Sequence, residues 1–139
     1  GPVFERIRDG VEQRWGGAVI GFRNQDFYDL VPAGVSKGLG LTELVSELTA
    51  PDGPYAGETV ETWTVGDSWN DIPMHELADH PVAMASAPPE VVDVCECTTP
   101  SVAAVVDWVL SAEADPDHAA TWRDADGVMT WPSRPGELA

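Results

Sequence analysis

Apolar positions near the start of the chain change from a helical to an extended spacing. Between residues 3 and 15 they recur every three or four positions, which predicts an amphipathic helix; they are Val3, Phe4, Ile7, Val11 and Trp15. Gly16 and Gly17 are expected to end this helix. The apolar stretches 18–22 and 27–31 then flank an Asn-Gln-Asp turn, and we predict a strand in each stretch.

Hydrophobicity along the rest of the chain predicts alternating helices and strands. A helix is predicted over 39–48, where leucine and valine side chains share one face, and the segment 50–57, rich in Pro and Gly, is predicted to be a loop. Strands are then predicted over 59–65, 82–84 and 95–98, and helices over 72–78, 89–94 and 101–111. Because this alternation is typical of a parallel sheet with right-handed crossovers, the expected fold class is α/β.

Two carboxylates follow the strand that is predicted over 59–65. The strand continues into a Gly-Asp turn, so that Asp67, Asn70 and Asp71 emerge at its carboxyl end. In open α/β sheets this is the end where ligands bind. Hard cations such as Mg²⁺ prefer carboxylate oxygens, often together with substrate phosphate. Asp67 and Asp71 are therefore candidate metal ligands.

Lys37 is the second candidate for a functional role. It is the only lysine among seven basic residues, and it stands at a Gly-flanked helix start. A flexible ammonium at this position suits an anionic group or a carboxylate partner. The alternative is a solvated lysine on the first turn of a helix.

Two strings together resemble motifs of the haloacid dehalogenase (HAD) superfamily of phosphatases. G-V-S-K-G at 34–38 resembles the third motif, and G-D-S-W-N-D-I-P-M at 66–74 resembles the fourth, in the branch of Cof-type and sugar-phosphate phosphatases. The string P-V-A-M-A-S-A-P-P-E-V at 81–91 also resembles a family segment, although Ser86 stands where the family usually has Asn. The resemblance covers roughly residues 27–112.

The resemblance implies a role for each candidate residue. Lys37 would neutralise the transferred phosphoryl group and the nucleophilic aspartate, and Asp67 would bind Mg²⁺. Asn70 and Asp71 would orient the metal shell and the loop. Lys37 and Asn70 are thus the candidate catalytic residues, Mg²⁺ is the expected cofactor, and a phosphorylated small molecule is the expected substrate. The implied fold is a HAD-like, Rossmann-like parallel sheet with flanking helices.

The nucleophile motif of the family, an amino-terminal D-x-D-x-[TV], has no counterpart ahead of Lys37. Near the carboxyl end, 124–130 reads D-A-D-G-V-M-T, so Asp124 and Asp126 could substitute for it. A polar loop rich in Asp and Gly is the simpler interpretation of that segment. We therefore expect a phosphatase half-site that is inactive alone. The alternative is a non-catalytic, HAD-derived binding or structural protein that self-associates.

The resemblance also divides the chain into three parts. Residues 1–33 are expected to be the remnant of an α/β cap, 34–112 the half of the core that carries the motifs, and 113–139 an irregular tail. An incomplete sheet has an unpaired edge, and such edges favour association. We therefore expect a homodimer or a complex with a complementary chain.

Composition restricts the partners further. The 139 residues include 24 acidic and 7 basic side chains, for a net charge of -17, which argues against nucleic acid or anionic membranes as partners. No apolar run is long enough to span a membrane and no signal peptide is evident. Cys95 and Cys97 lack zinc spacing and are expected to be reduced, so a cytoplasmic location is predicted.

Histidine and tryptophan residues offer weaker candidates. His75 and His80 are five positions apart, a poor spacing for one metal ion, and both are expected to be solvated. Trp15, Trp63 and Trp108 fall at periodic positions and are expected to pack in the core.

Overall fold

The structure, a computed structural model, describes residues 2–114 and contains two small sheets. Helix α1 (Pro2–Trp15) precedes strands β1 (Val19–Asn24) and β2 (Phe27–Pro32), and helix α2 (Lys37–Thr49) follows them. After a long loop come strand β3 (Trp63–Gly66), a 3₁₀ turn (Trp69–Asp71), helix α3 (Ile72–His75) and strand β4 (His80–Met84). Helix α4 (Pro89–Val92), strand β5 (Cys97–Thr99) and helix α5 (Val102–Ala114) complete the described chain.

The two sheets differ in strand direction. Strands β1 and β2 form an antiparallel hairpin, in which Asn24 lies opposite Phe27. Strands β3, β4 and β5 form a parallel sheet in that order, with Val65 opposite Val82 and Val82 opposite Cys97. The predicted α/β class is therefore confirmed, and the hairpin precedes the parallel part.

The core lies between the parallel sheet and helix α5. Val82, Cys97 and Val105 are buried together, and Trp63 and Val65 pack against them. Trp63 and Val65, two positions apart on β3, and Val82 on β4 thus face the apolar side of α5, as period-2 and period-3.6 patterns require. No helix within residues 2–114 is long and apolar enough to cross a membrane.

The strand before the acidic motif is shorter than the sequence predicted. It begins at Trp63, because its partner strand begins at His80 and the two residues lie opposite each other. Just before the strand, Thr62 is held by the Asp79 carboxylate, which accepts bonds from its backbone nitrogen (2.9 Å) and its hydroxyl (2.7 Å). Residues 59–62 therefore lie outside the ladder, and the prediction that the strand starts at 59 was wrong.

Other predicted boundaries also differ from the structure, and helices α3 and α4 end at His75 and Val92, before the predicted ends at 78 and 94. Cys95 was predicted to lie in the last strand, but its backbone nitrogen bonds to Val92 in a turn, and the strand begins at Cys97. Burial raises the pKa of the Cys95 thiol to about 11, so this thiol is protonated at neutral pH. Helix α5 continues to Ala114, past the predicted end at 111. Asp124, Asp126 and most of the predicted irregular tail lie outside the described residues.

Two of the three tryptophans that were predicted to pack in the core do so. Trp108 on α5 is buried, and Trp63 is half-buried against the core. Trp15, at the end of α1, is 48% exposed, so its prediction as a core residue was wrong. The apolar face of α1 is covered at Val11 but exposed at Val3 and Ile7, because little of the described chain packs against this helix.

Candidate functional site

The loop after β3 is closed by the carboxylate of Asp71. One oxygen of this group, Oδ2, accepts hydrogen bonds from the backbone nitrogens of Asp67 (2.9 Å) and Ser68 (3.0 Å). The Asp71 residue is only 3% exposed, and Ser68 and Asp71 form a capping box at the 3₁₀ turn. Because each buried backbone donor needs an acceptor, the carboxylate fixes the turn that follows the strand.

Gly66 makes room for this carboxylate. A Cβ atom at Gly66 would lie 2.6 Å from Cβ, Cγ and Oδ2 of Asp71, far inside contact distance. The glycine of the Gly-Asp turn is therefore required by the close approach of the carboxyl group, not by an unusual φ angle.

Lys37 pairs with the same carboxylate from the start of α2. Its Nζ atom contacts the other oxygen of Asp71, Oδ1, while the lysine side chain remains 50% exposed. Helix α2 is capped by Ser36, whose hydroxyl accepts from the backbone nitrogen of Leu39 (3.1 Å). The structure thus brings Lys37 and Asp71 together, with the ammonium at the edge of the site and in contact with solvent.

Close packing of two helices produces this pairing. A Cβ atom at Gly38 would lie 2.3 Å from the carbonyl oxygen of Pro73, so helix α2 approaches α3 at a distance that only glycine allows. Gly38 therefore packs directly against the Ile-Pro-Met segment that follows Asp71. This packing contact sets the distance between the start of α2, where Lys37 lies, and the Asp71 carboxylate.

Asp67 and Asn70 carry the oxygen atoms that remain for a cation. Asp67 is partly exposed, and the Oδ1 atom of Asn70 is buried without a hydrogen-bond partner in the described part of the chain. Carboxylate and amide oxygens suit Mg²⁺, which uses one or two protein carboxylates and completes its shell with water and phosphate. Within residues 2–114 no three His, Cys, Asp or Glu side chains cluster as a metal site. The donor set therefore fits Mg²⁺ better than a metal that needs a full protein cage.

Asp71 differs from Asp67 in that both of its oxygens already have partners. Oδ2 accepts two backbone bonds, and Oδ1 faces Lys37. These contacts close the loop, and the role in orienting the metal shell that the resemblance implied for Asp71 stays a prediction. That Asp71 also binds a metal directly stays a prediction, as do the roles of Lys37, Asp67 and Asn70.

The tip of the β1–β2 hairpin lies on the same loop, which the sequence did not predict. The side-chain amide of Gln25 donates to Oδ2 of Asp67 (2.8 Å), and its backbone nitrogen donates to the Ser68 hydroxyl (3.0 Å). The guanidinium of Arg23 lies 3.9 Å from the ring centroid of Trp69. The residue types of a turn indicate that a turn forms, but they do not indicate which loop the turn contacts. The sequence therefore gave no signal for the contact of Arg23 and Gln25 with the acidic loop.

His75 is buried beneath the site, so the prediction of a solvated side chain was wrong. It is 1% exposed, and its Nδ1 atom lies 2.9 Å from the Thr64 hydroxyl on β3. Burial lowers the pKa of His75, and the Lys37 charge lowers it further, while Asp71 acts in the opposite direction. The imidazole is therefore neutral at neutral pH and serves as a polar spacer between α3 and the sheet.

His80 was also expected to be solvated, and its environment differs from that prediction. Its ring stacks on Trp63 with centroids 4.2 Å apart, and its nitrogens face the carboxylates of Glu61 (2.6 Å) and Glu96 (3.5 Å). The side chain is 18% exposed. His75 and His80 thus occupy separate environments and do not form a metal pair.

A family model described as haloacid dehalogenase-like hydrolase matches residues 3–108. The chain belongs to this family. The match spans α1, the hairpin and nearly all of the parallel unit, including Lys37 and the loop that Asp71 closes. The resemblance inferred from the motif strings is therefore confirmed, and so is the HAD-like fold class.

The chain is also similar to individual known proteins, among them one curated relative and two solved structures. A curated relative, 5-amino-6-(5-phospho-D-ribitylamino)uracil phosphatase YwtE of Bacillus subtilis, is 33% identical over 90 residues, which cover 61% of this chain and 29% of the relative. A haloacid dehalogenase-like hydrolase from Bacteroides thetaiotaomicron superposes with a TM-score of 0.58 at 26% identity, covering 76% of this chain and 40% of that one. SMU.1108c from Streptococcus mutans superposes with a TM-score of 0.62 at 22% identity, covering 79% and 41%, and shows the fold alone. The chain spans less than a third of the curated relative and about two fifths of the two solved structures.

Proposed function

We propose that this chain supplies the lysine and the metal-binding loop of a Mg²⁺-dependent phosphate monoester hydrolase. The observation that carries the proposal is the pairing of Lys37 with Asp71 beside Asp67, at the carboxyl end of a parallel strand. Ligands of open α/β sheets bind at this end. Membership of a hydrolase family and a curated relative that is named as a phosphatase support the same reaction class.

The arrangement suits phosphoryl transfer because that reaction depends mainly on positioned charge. Asp67 and Asn70 would hold the cation, which supplies charge neutralisation at the phosphate when bound. The half-exposed Lys37 ammonium attracts the anionic substrate from solvent and is kept in place by Asp71. The substrate in this proposal is a phosphorylated small molecule.

The phosphoryl acceptor in this proposal comes from outside residues 2–114. HAD phosphatases use an aspartate of a D-x-D motif, and neither Asp26 nor Asp29 of the hairpin lies in such a motif. Asp124 and Asp126 in the string 124–130, or an aspartate of another segment or chain, would fill this role. The chain by itself is then a half-site.

Mg²⁺ binding provides the first test of the proposal. We expect calorimetric titration to show Mg²⁺ binding by the chain and at least a tenfold weaker affinity in Asp67→Ala, because a direct carboxylate ligand is lost. Asp107→Ala, which removes an exposed carboxylate from α5, is the matched control for the general effect of negative charge. Equal Mg²⁺ affinity of Asp67→Ala and Asp107→Ala would contradict the assignment of Asp67.

Hydrolysis of a generic aryl phosphate, measured with the same proteins, locates the nucleophile. We expect no Mg²⁺-dependent hydrolysis by the chain alone. Hydrolysis that requires both Mg²⁺ and Asp67 would instead place the nucleophile within the 139 residues, and Asp124→Asn and Asp126→Asn would then identify it.

A homodimer is the second part of the proposal. In the described structure β3 is an edge strand, and beside it an apolar groove of about 420 Å³ lies between β3 and α5. The groove is lined by Trp63, Val65, Val102, Val105, Val106, Val109 and Leu110. An apolar groove that continues to a strand edge is a surface that a second copy of this chain can cover by strand pairing and side-chain packing.

Light scattering across a salt series tests the homodimer. We expect dimers at micromolar concentration, with the dimer fraction rising with salt, because each copy carries a charge of -17 and salt screens the repulsion. Val106→Glu, an exposed groove residue, is expected to shift the protein to monomer, whereas Val3→Glu on α1 is the control. A monodisperse monomer of the unsubstituted chain at high salt would contradict this part of the proposal.

A further inference from the structure

The tip of the hairpin is attached to the acidic loop mainly through hydrogen bonds of Gln25. Gln25 makes two bonds to it, from its side-chain amide to Asp67 Oδ2 (2.8 Å) and from its backbone nitrogen to Ser68 Oγ (3.0 Å). Arg23, two positions earlier, lies over the Trp69 ring and donates through Nε to the Gln25 carbonyl (3.3 Å). These contacts join the two sheets at the candidate cation ligand.

The backbone of Gln25 adopts an unfavourable conformation at this point. Its φ angle is 51°, the one positive value among the described residues other than glycine. For a residue with a Cβ atom the left-handed region is sterically unfavourable, and such positions are concentrated at functional sites. A glycine would satisfy the turn without this cost, but it would lack the amide that reaches Asp67.

The bond to Gln25 engages only one oxygen of the Asp67 carboxylate. The hydrogen bond from the Gln25 amide to Oδ2 restricts rotation of the Asp67 carboxyl group and leaves Oδ1 for a cation. Hydrogen bonds of this kind to a metal ligand orient it, and their loss typically weakens metal affinity about 10- to 100-fold.

We infer that Gln25 is a positioning residue for the cation site: it holds the Asp67 carboxylate in the orientation that binds Mg²⁺. The inference rests on the proposed function, since it assumes that Asp67 is a ligand. It adds that the hairpin, which is 42 residues away in sequence, is part of the metal-binding unit. Metal affinity therefore depends on hairpin docking.

Gln25→Met isolates the contribution of the amide. Methionine has an unbranched side chain of equal length and the same backbone strain, so the variant removes the N–H donor and little else. We expect the Mg²⁺ dissociation constant, measured by calorimetry on the full chain, to rise about tenfold or more. The thermal midpoint without Mg²⁺ is expected to remain nearly unchanged, because Gln25 is exposed. Gln13→Met on the exposed side of α1 is the matched control and should bind Mg²⁺ like the unsubstituted chain.

The Mg²⁺ affinities and thermal midpoints of these proteins separate the positioning role of Gln25 from the proposed metal site. Unchanged or tighter Mg²⁺ binding by Gln25→Met would overturn the positioning role while leaving the proposed function intact. A weaker affinity accompanied by a large fall of the metal-free thermal midpoint would also overturn it, because the residue would then act through general stability. Absence of Mg²⁺ binding by the unsubstituted chain would contradict the proposed metal site itself, and the positioning role with it.

Discussion

Replacing Asp71 with asparagine is expected to lower the free energy of unfolding by about 3 kcal/mol, since hydrogen bonds to a charged group are each worth about 1.5–3 kcal/mol. The carboxylate accepts from the backbone nitrogens of Asp67 and Ser68 while it is almost fully buried. Asparagine has one acceptor oxygen, so its NH₂ group would face either the two backbone donors or the Lys37 ammonium. Chemical denaturation in urea, followed by tryptophan fluorescence, measures the change.

Two variants separate the loop-closing bonds from the ion pair. Lys37→Met removes the ammonium but leaves both backbone bonds of Asp71, and because the lysine is half exposed we expect a loss of no more than about 1 kcal/mol. Asp107→Asn changes an exposed carboxylate on α5 and should remain within about 0.5 kcal/mol of the unsubstituted chain. If Asp71→Asn were no more destabilising than Asp107→Asn, the carboxylate would not organise the loop.

The parts of the fold that could be predicted from sequence are those with a strong local pattern. The helical periodicity over 39–48 and 101–111 matches helices α2 and α5, and the apolar run before the Gly-Asp turn contains strand β3. The candidate roles of Lys37 and Asp71 followed from the resemblance of the motif strings, but their pairing with each other was not predicted. A separation of 34 residues has no local signal.

The features that could not be predicted depend on contacts between distant segments. His75 is buried because the single turn of α3 packs beneath β3 and brings its ring to Thr64, whereas its sequence neighbours gave no sign of burial. Trp15 lies on a regular apolar face, but periodicity shows which side of a helix is apolar, not whether another element covers it. The role of Gln25 also could not be predicted. The sequence indicated the turn in which Gln25 lies, but not the loop that this turn contacts.

Two glycines of helix α2 are expected to respond in opposite directions to alanine. A Cβ at Gly38 would lie 2.3 Å from the carbonyl oxygen and 2.8 Å from the carbonyl carbon of Pro73, both backbone atoms, whereas a Cβ at Gly40 meets nothing within 4 Å. Gly40→Ala should raise the free energy of unfolding by about 0.5–1 kcal/mol through helix propensity. Gly38→Ala should lower it by about 1–3 kcal/mol, because overpacking outweighs that gain.

The consequences of Gly38→Ala should extend to the candidate site. Relief of the clash requires the start of α2 to move away from α3, and Lys37 is the first residue of that helix, so the movement separates its ammonium from Asp71. Combining Gly38→Ala with Lys37→Met therefore should cost less than the sum of the two separate losses, since neighbouring residues that act through one contact are not additive. Additive losses in urea denaturation would indicate that helix packing and the Lys37–Asp71 pair are independent. Stabilisation by Gly38→Ala equal to that by Gly40→Ala would contradict the close approach of α2 to α3.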